Sequence, residues 1–218
     1  IRLGFEKAFK DAGMETECVM TSEIKPYAVK TLKHNFGHEF LAGDIFEIRN
    51  EFIPDFDFLL GGFPCQPFSY AGKQLGFEDL RGTLVFEMAR AIKEIQPKVF
   101  LAENVKGLTE NDNGRTLETI IRVLEELGYT IVEKDVYKAI FYKVPQKRER
   151  LIIMGVRNDL AQKAKFIKPS PYHRLLTVKD ALQAGELFDN PVPDSVGQAY
   201  PKRKAEIMAH VPEGGYWR

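Results

Sequence analysis

Apolar residues recur along this chain in two alternating spacings, one typical of helices and one typical of strands. Helical spacing places apolar side chains on one face in four segments: Phe5–Ala12, Pro26–Asn35, Leu84–Ile95 and Leu117–Leu127. Short apolar runs predict a strand that begins at Cys18–Met20 and ends near Ser22–Glu23, and further strands at Phe56–Leu60, Val99–Ala102, Tyr129–Val136 and Leu151–Val156. The alternation of helix and strand predicts an α/β fold with three layers around a mostly parallel sheet.

The last two predicted strands are not separated by a helical pattern, so we expect Leu151–Val156 to return antiparallel, as in a hairpin. Glycines at 13 and 128 follow two of the predicted helices and are expected to end them. After about residue 160 the pattern weakens and prolines become frequent. We therefore expect residues 1–160 to form one α/β domain and residues 161–218 to form a linker and the start of a less regular region.

The chain opens at Ile1 directly on a helical pattern, without a preceding strand. In a doubly wound fold the first strand and its glycine-rich turn normally hold the cofactor. We expect both to lie upstream of Ile1.

Charge and cysteine content narrow the function classes. The chain has 31 basic and 31 acidic residues, a net charge of zero that argues against indiscriminate coating of nucleic acid. Two cysteines make no disulfide framework, so we expect a reducing cytoplasm. No apolar run has membrane-spanning length, which predicts no membrane contact. Without a CxxC pair and with four histidines, the sequence predicts no metal site.

Three segments carry candidate chemistry. Cys65 stands between two prolines in Gly61–Ser69, where neither a helix nor a central strand can form. Glu103 and Asn104 follow the strand that ends at Ala102. Because ligands bind at the carboxyl ends of parallel strands, Cys65 and Glu103 are expected to converge in one cleft.

The third segment is Gln146–Arg150, which lies between the last two predicted strands. Arg148 and Arg150 alternate along an extended segment and are expected to face one side. A thiolate, a carboxyl group and a guanidinium together favour covalent catalysis on an electron-poor planar ring. The alternative for Cys65 is an inert core thiol, since free cysteine is often buried, and the alternative for the arginines is a solvated hairpin.

These motifs occur in the order of a known family. The segments GGFPCQPFS, Glu103-Asn104-Val105 and Gln146–Arg150 resemble motifs of the DNA cytosine-5 methyltransferases, in a likeness that covers most of residues 1–157. The resemblance implies a Rossmann-like fold that uses S-adenosylmethionine as methyl donor and acts on double-stranded DNA. It implies a catalytic set of Cys65, Glu103, Arg148 and Arg150, a covalent bond from Cys65 to cytosine C6, and a flipped base.

The resemblance also implies binding residues. Cofactor contacts are expected at Glu23, Ile24, Asp44, Ile45, Gly61 and Pro64, with Glu23 on the ribose and Asp44 on the adenine. Substrate contacts are expected at Pro64, Gln66, Ser69 and Asn104. One departure is that Lys138 and Lys143 stand where the family usually has an asparagine and a glycine.

The resemblance further implies a bacterial enzyme of a restriction–modification system, monomeric, with a cognate endonuclease as a partner. Two alternatives stay open. One is the tRNA-directed branch of the family, which shares the Cys, Glu and Arg residues. The other is a non-catalytic nucleic-acid-binding relative that keeps the fold.

Overall fold

The structure is a computed structural model that describes residues 1–37, 41–63, 83–182 and 201–212. The α-helices in these ranges are α1 (Arg2–Asp11), α2 (Pro26–Phe36), α3 (Leu84–Ile95), α4 (Arg115–Glu126), α5 (Asn158–Ala161), α6 (Val178–Leu182) and α7 (Lys202–Ala209). The strands are β1 (Thr21–Ser22), β2 (Leu41–Ala42), β3 (Phe58–Gly62), β4 (Val99–Val105), β5 (Tyr129–Lys138) and β6 (Glu149–Arg157).

The larger sheet has the strand order β3-β4-β6-β5. β3 and β4 run parallel, and β6 lies between β4 and β5, antiparallel to both. β5 is therefore parallel to β3 and β4, and the predicted antiparallel return of the last strand is confirmed. β1 and β2 form a separate parallel pair. The carboxyl ends of β3 and β4 and the start of β6 thus meet at one edge.

Helices cover both faces of the larger sheet. Side chains alternate between faces along a strand, so Gly61 of β3 faces Met88 of α3, while Phe58 faces the other side. There the rings of Phe5 and Phe9 on α1 pack against Phe58 with centroid distances of 5.2 and 5.1 Å. The three-layer α/β architecture that the alternating pattern predicted is confirmed.

The core lies between the sheet and the apolar faces of α3 and α4. It includes Val85, Met88, Ala89 and Ile92 of α3, Leu117, Ile120, Ile121 and Leu124 of α4, and Phe100 and Ala102 of β4. Tyr129 closes this core and donates a hydrogen bond of 2.6 Å to the Pro97 carbonyl. Burial raises the pKa of Tyr129 to about 12, which keeps the hydroxyl protonated as a donor.

Glycine ends α1 and follows α4, as predicted. At α1, Gly13 has φ +74° and Met14 N–H donates to the Phe9 carbonyl at 2.9 Å. Gly13 N–H donates to the Lys10 carbonyl, which completes a Schellman motif. Gly128, with φ +94°, follows α4 in the same left-handed region that glycine reaches without steric cost.

Two strand predictions were wrong in their bounds. The strand predicted to begin at Cys18 and to end near Ser22–Glu23 ends as predicted but is shorter, at Thr21–Ser22, because only these two residues pair with Leu41–Ala42. Cys18 is only half-buried and contacts Thr21 Oγ1 at 3.3 Å. β4 continues three residues past the predicted end, because β6 pairs with it as far as the Val105–Arg150 register.

The segment after α5 is fastened to the edge strand β5. Lys168 pairs with Asp135 and lies 3.8 Å from a Glu133 carboxylate oxygen. Further along, Tyr172 N–H donates to the Phe141 carbonyl at 2.7 Å, and Leu176 is buried. None of the helices in the described ranges is long and apolar enough to span a membrane.

Candidate active site

Glu103 and Arg150 form an ion pair at the edge where β3, β4 and β6 meet. Arg150 Nε lies 2.6 Å from Glu103 Oε1, and about a quarter of each side chain is exposed (26% and 25%). The strand register explains the contact, since Glu103 stands opposite Ile152 and Arg150 stands opposite Val105. Residues two positions apart share a sheet face, so the two side chains meet diagonally across β4 and β6. The structure brings together this predicted pair.

The pair leaves one carboxylate oxygen open. Arg150 Nη1 donates to the Glu149 carbonyl at 2.7 Å, which fixes the guanidinium beside Oε1 of Glu103. Glu103 Oε2 has no hydrogen-bond partner among the described residues. It points toward the end of β3, 3.8 Å from where a Cβ on Gly62 would stand. A partly exposed carboxylate held at one oxygen can exchange a proton or a hydrogen bond with a ring through the other.

Asn104 connects this edge to the chain that leaves β3. Its side chain is 1% exposed, on the face opposite Glu103. Nδ2 donates to the Phe63 carbonyl at 2.8 Å, and Oδ1 accepts from Val105 N–H at 2.8 Å. Both ends of the amide are therefore bonded to main chain, as a buried amide requires. Contact with substrate stays a prediction for Asn104, and the structure supports a positioning role at Phe63.

Four predicted site residues, Pro64, Cys65, Gln66 and Ser69, lie outside the described residues. The anchor for their segment is Phe63, which is buried and held by Asn104. Gly61, two residues before Phe63, has its Cβ position taken by Met88, whose Sδ would stand 2.7 Å away. Helix packing thus requires this glycine, and its predicted cofactor contact stays a prediction.

The predicted arginines differ in their surroundings. Arg148 is exposed and precedes β6, and its guanidinium has no ion pair within the described ranges. Between the two arginines, Glu149 lies 3.1 Å from Lys138 Nζ and 3.5 Å from Lys106 Nζ. The hydrogen bond from Lys138 holds the pKa of Glu149 below its usual value. The structure therefore brings Arg150, but not Arg148, to Glu103.

Lys143 adopts the conformation that glycine would favour. Its φ is +60°, in the left-handed region that costs a residue with a Cβ about 1 kcal/mol or more. Its ammonium lies 4.6 Å from the centroid of the Tyr172 ring, a cation–π contact that offsets part of that cost. Lys143 thus takes a glycine-like backbone conformation although it carries a side chain.

A second group of predicted residues lies at the carboxyl ends of β1 and β2. Ser22 Oγ donates to the Gly43 carbonyl at 2.7 Å and ties the two ends together. Glu23 Oε1 accepts from Ile24 N–H and Lys25 N–H, both at 2.9 Å, at the start of α2. Glu23 Oε2 has no partner among the described residues. The carboxylate is held by one oxygen and can accept from a ligand through the other.

Asp44 is held in the same way. Its Oδ1 accepts from Phe46 N–H at 3.0 Å and caps a short 3-10 helix over Ile45–Glu47. The neighbouring apolar side chains are exposed, at 62% for Ile24 and 48% for Phe46, while Ile45 is half-buried. Two carboxylates and exposed apolar surface at adjacent strand ends suit a ligand with hydroxyl groups and a flat apolar ring.

Sequence reasoning missed a pair behind Asp44. Glu87 and Arg90 on α3 bond to each other, and Arg90 also bonds to the Ile45 carbonyl. The signal that could have found them is two oppositely charged residues three apart on the apolar part of a core helix.

The sequence of this chain is similar to those of known methyltransferases. A family model described as C-5 cytosine-specific DNA methylase matches residues 1–206. The chain is 64% identical over 219 aligned positions to Type II methyltransferase M.PspPI of Psychrobacter sp. (strain TA137), covering 99% of this chain and 52% of that protein. It is 58% identical to Type II methyltransferase M.Eco47II of Escherichia coli, covering 99% and 51%. The chain thus spans about half the length of the curated relatives it matches.

Solved structures share the fold. A prophage-encoded protein of E. coli, designated a DNA modification methyltransferase, superposes with a TM-score of 0.63 at 26% identity, over 85% of this chain and 53% of that one. DNMT2 of Spodoptera frugiperda superposes with a TM-score of 0.58 at 24% identity, over 89% and 57%. The second likeness concerns the fold alone.

Proposed function

The chain belongs to the C-5 cytosine-specific DNA methylase family, and from that premise we propose that this protein methylates C5 of cytosine within a specific sequence of double-stranded DNA. The methyl donor is S-adenosylmethionine. The observation that carries the proposal is the Glu103–Arg150 pair, with one carboxylate oxygen open beside the end of β3. The relatives are named Type II methyltransferases, which supports a role in a restriction–modification system, alongside a cognate endonuclease.

The residues at the ends of β1 and β2 fit this methyl donor by their chemistry. Glu23 and Asp44 each hold one carboxylate oxygen in a main-chain hydrogen bond and offer the other. Carboxylates are suitable acceptors for ribose hydroxyls and for the amino group of adenine, and Ile24 and Phe46 offer apolar surface for the ring. When bound, S-adenosylmethionine supplies an electrophilic methyl group on a sulfonium.

The chain's own residues must make cytosine C5 nucleophilic. The Cys65 thiolate adds to C6, a bond forms between sulfur and carbon, and the electron pair of the C5–C6 double bond moves onto the ring. Glu103 donates a proton to N3, and Arg150 holds the Glu103 carboxylate and the negative charge on O2. After methylation, loss of the C5 proton returns an electron pair to the ring, the sulfur–C6 bond breaks, and the thiolate is released.

Cys65 is tied closely to this edge by the chain itself. Only Pro64 separates Cys65 from Phe63, whose carbonyl is held by Asn104, and two residue steps along the chain span at most about 7 Å. The stacked duplex hides C6 from a thiolate, so the target base is flipped into the site at a cost of about a few kcal/mol. Asn104 acts by fixing where the segment that carries Cys65 leaves the sheet.

A covalent trap tests the proposal. A duplex in which the target cytosine is 5-fluorocytosine blocks loss of the C5 substituent, so the full-length protein with S-adenosylmethionine should stay bound in a denaturant-resistant adduct. The variant Cys65→Ala should form no adduct and transfer no methyl group, and Cys18→Ala is the matched control that should behave as wild type. Methyl transfer by Cys65→Ala at the wild-type rate would contradict the mechanism.

The same assay separates the related substrates. We expect methyl transfer to duplex DNA and none above background to tRNA. Methylation of tRNA in preference to the duplex would assign the tRNA-directed activity instead. Salt-sensitive duplex binding without an adduct would identify a non-catalytic binder.

A further inference from the structure

A buried ion pair on α3 does not belong to the catalytic edge. Glu87 is 7% exposed, and Arg90 holds it twice, with Nε at 2.7 Å and Nη2 at 2.6 Å from Glu87 Oε2. Removing two charges from water costs several kcal/mol per ion, and apolar residues of similar volume often stabilise a core as well or better. The pair is therefore poorly explained by stability alone, and the contacts of its guanidinium indicate another use.

Arg90 reaches across to the turns that follow Asp44. Nη2 donates to the Ile45 carbonyl at 3.1 Å, and Nη1 donates to Asn50 Oδ1. Ile45 and Asn50 each begin a short 3-10 helix in this segment. One planar guanidinium thus joins two successive turns to the core helix, with Glu87 fixing its orientation.

Arg90 is linked indirectly to the carboxylate of Asp44, through the 3-10 helix that begins at Ile45. Asp44 Oδ1 accepts from Phe46 N–H at 3.0 Å, so the position of the 3-10 helix sets the position of the carboxylate. The residue before it, Gly43, is tied to β1 through Ser22 Oγ at 2.7 Å. Asp44 therefore lies between two hydrogen-bonded contacts. One joins Gly43 to β1, and the other joins Ile45 to α3 through Arg90.

We propose that Arg90, oriented by Glu87, is a positioning residue that aims the Asp44 carboxylate and so makes the cofactor site select a purine with a 6-amino group. The inference rests on the proposed function, because it takes an adenosyl compound as the ligand at this site. A carboxylate acceptor favours the amino group of adenine and opposes the oxygen of hypoxanthine, whose lone pairs face it without a proton. Discrimination then depends on where the carboxylate is held.

The test compares two products that differ at that one position. The full-length protein is titrated calorimetrically with S-adenosylhomocysteine and with its hypoxanthine counterpart, S-inosylhomocysteine. Wild type should prefer the amino compound by about tenfold or more, the scale of one hydrogen bond to a charged group. In the double variant E87Q/R90M, which leaves no unpaired charge, this preference should fall to near one. KM for S-adenosylmethionine should rise while kcat at saturation stays within about twofold, since no group at the reacting atoms changes.

Two further variants keep the test decisive. Asn50→Ala alters only an exposed partner of Arg90 and should lower the preference in the same direction, even if the double variant fails to fold. The pair R122M/E126Q on α4 is the matched control, because it removes an ion pair of 3.9 Å on a helix that bears no predicted cofactor residue, and it should leave the preference unchanged.

The outcomes separate the inference from the function it rests on. An unchanged amino-to-oxo preference in folded E87Q/R90M or in Asn50→Ala overturns the positioning role while methyl transfer by wild type upholds the proposed function. A wild-type protein that binds neither compound and methylates no duplex overturns both.

Discussion

At the residue scale, the Arg150 guanidinium makes two contacts that serve different purposes. It holds one oxygen of Glu103 through Nε and anchors its own fork on the Glu149 carbonyl through Nη1. Lysine can offer a charge but not this fixed pair of donors. The guanidinium therefore orients Glu103 as well as neutralising it.

This division of roles predicts different losses at the two positions. Glu103→Gln keeps size and hydrogen bonding but removes the exchangeable proton, so kcat for methyl transfer should fall by about 10²-fold or more. Arg150→Lys keeps the charge and loses the fork, so kcat should fall by about 10- to 100-fold. Single-turnover methyl transfer measures both, with thermal unfolding as the check on folding. Equal activity of Arg150→Lys and wild type would contradict the orienting role.

Sequence reasoning reached these two residues because each stands in a recognisable short segment at a strand end. It did not reach Arg90, because its neighbour Glu87 reads as an ordinary helix pair and the turns that Arg90 joins lie some forty residues earlier, without a periodic pattern. Alternation placed Arg148 and Arg150 on one side and the family resemblance added both to the catalytic set, whereas the register of β6 directs Arg150 to Glu103. The role of Arg148 stays a prediction.

At the element scale, the packing of β4 against β6 depends on a glycine, which has no side chain. Gly155 stands opposite Phe100, and a Cβ there would lie 2.2 Å from the Phe100 ring, far inside contact distance. The ring is fully buried and packs beside Tyr129 with centroids 5.3 Å apart, so it has no room to withdraw.

Gly155→Ala should therefore lower the free energy of unfolding by about 1–3 kcal/mol or more, through overpacking. Denaturant unfolding of the full-length protein measures the change. The control is Gly4→Ala in α1, where an added Cβ meets nothing within 4 Å and the better helix propensity of alanine should stabilise slightly. A Gly155→Ala protein as stable as wild type would mean that the two strands do not approach as the structure has them.

α6 carries a pH-dependent cap. Asp180 Oδ2 accepts from the Thr177 hydroxyl at 2.6 Å and from Thr177 N–H at 2.7 Å, and Thr177 Oγ1 accepts in return from Asp180 N–H at 3.3 Å. This is a reciprocal capping box. The hydrogen bonds from Thr177, with a further one from Arg174, hold the pKa of Asp180 well below its usual value.

The sign of the effect follows from that lowered pKa. The unfolded chain takes up the proton first, near pH 4, so the cap contributes its full stability above this pH and loses it as the pH falls through the folded value. Asp180→Asn should therefore lower Tm at pH 7, and its Tm should approach that of wild type as the pH is brought below 4. Differential scanning calorimetry at both pH values checks this, and a gap that widens in acid would contradict it.

Helices were the elements easiest to predict, because a 3.6-residue period over three turns is a strong signal. The bounds of α3 agree with the predicted Leu84–Ile95. Strands depend on partners that the local pattern does not contain. β1 is two residues long and is defined by its pairing with β2, and the position of β6 between β4 and β5 follows from no local feature.

At the scale of the whole molecule, the site is assembled from segments far apart in the chain. Glu103 comes from β4, Arg150 from β6, and the Phe63 anchor from the end of β3, joined by the β4–β6 register and the Asn104 bond. The order of layers was predictable from alternation, and so was the shared edge. The diagonal contact between Glu103 and Arg150 could not be predicted, because it depends on the register between β4 and β6. That register is known only once the two strands are paired.

The charge of the whole chain sums to zero, so the proposed function requires that attraction to DNA come from local clusters. One cluster beside the site is partly neutralised, since Glu149 lies 3.1 Å from Lys138 Nζ and 3.5 Å from Lys106 Nζ. Both lysines are about half exposed and lie next to the strand that carries Arg150. The Glu149 carboxylate competes with a DNA phosphate for both lysines. The hydrogen bond from Lys138 lowers the pKa of Glu149, so this carboxylate stays ionised at neutral pH.

Glu149→Gln should therefore tighten binding of the full-length protein to its target duplex and steepen the fall of affinity with salt. Each additional phosphate contact contributes a slope of about −0.9 in log K against log salt concentration, so we expect a change of about one unit. Glu126→Gln on α4 makes the same change in net charge at another ion pair and should leave the slope unaltered. Fluorescence anisotropy at several salt concentrations measures both variants. If the two variants shift the slope equally, the effect belongs to the net charge of the molecule and not to the lysines beside Arg150.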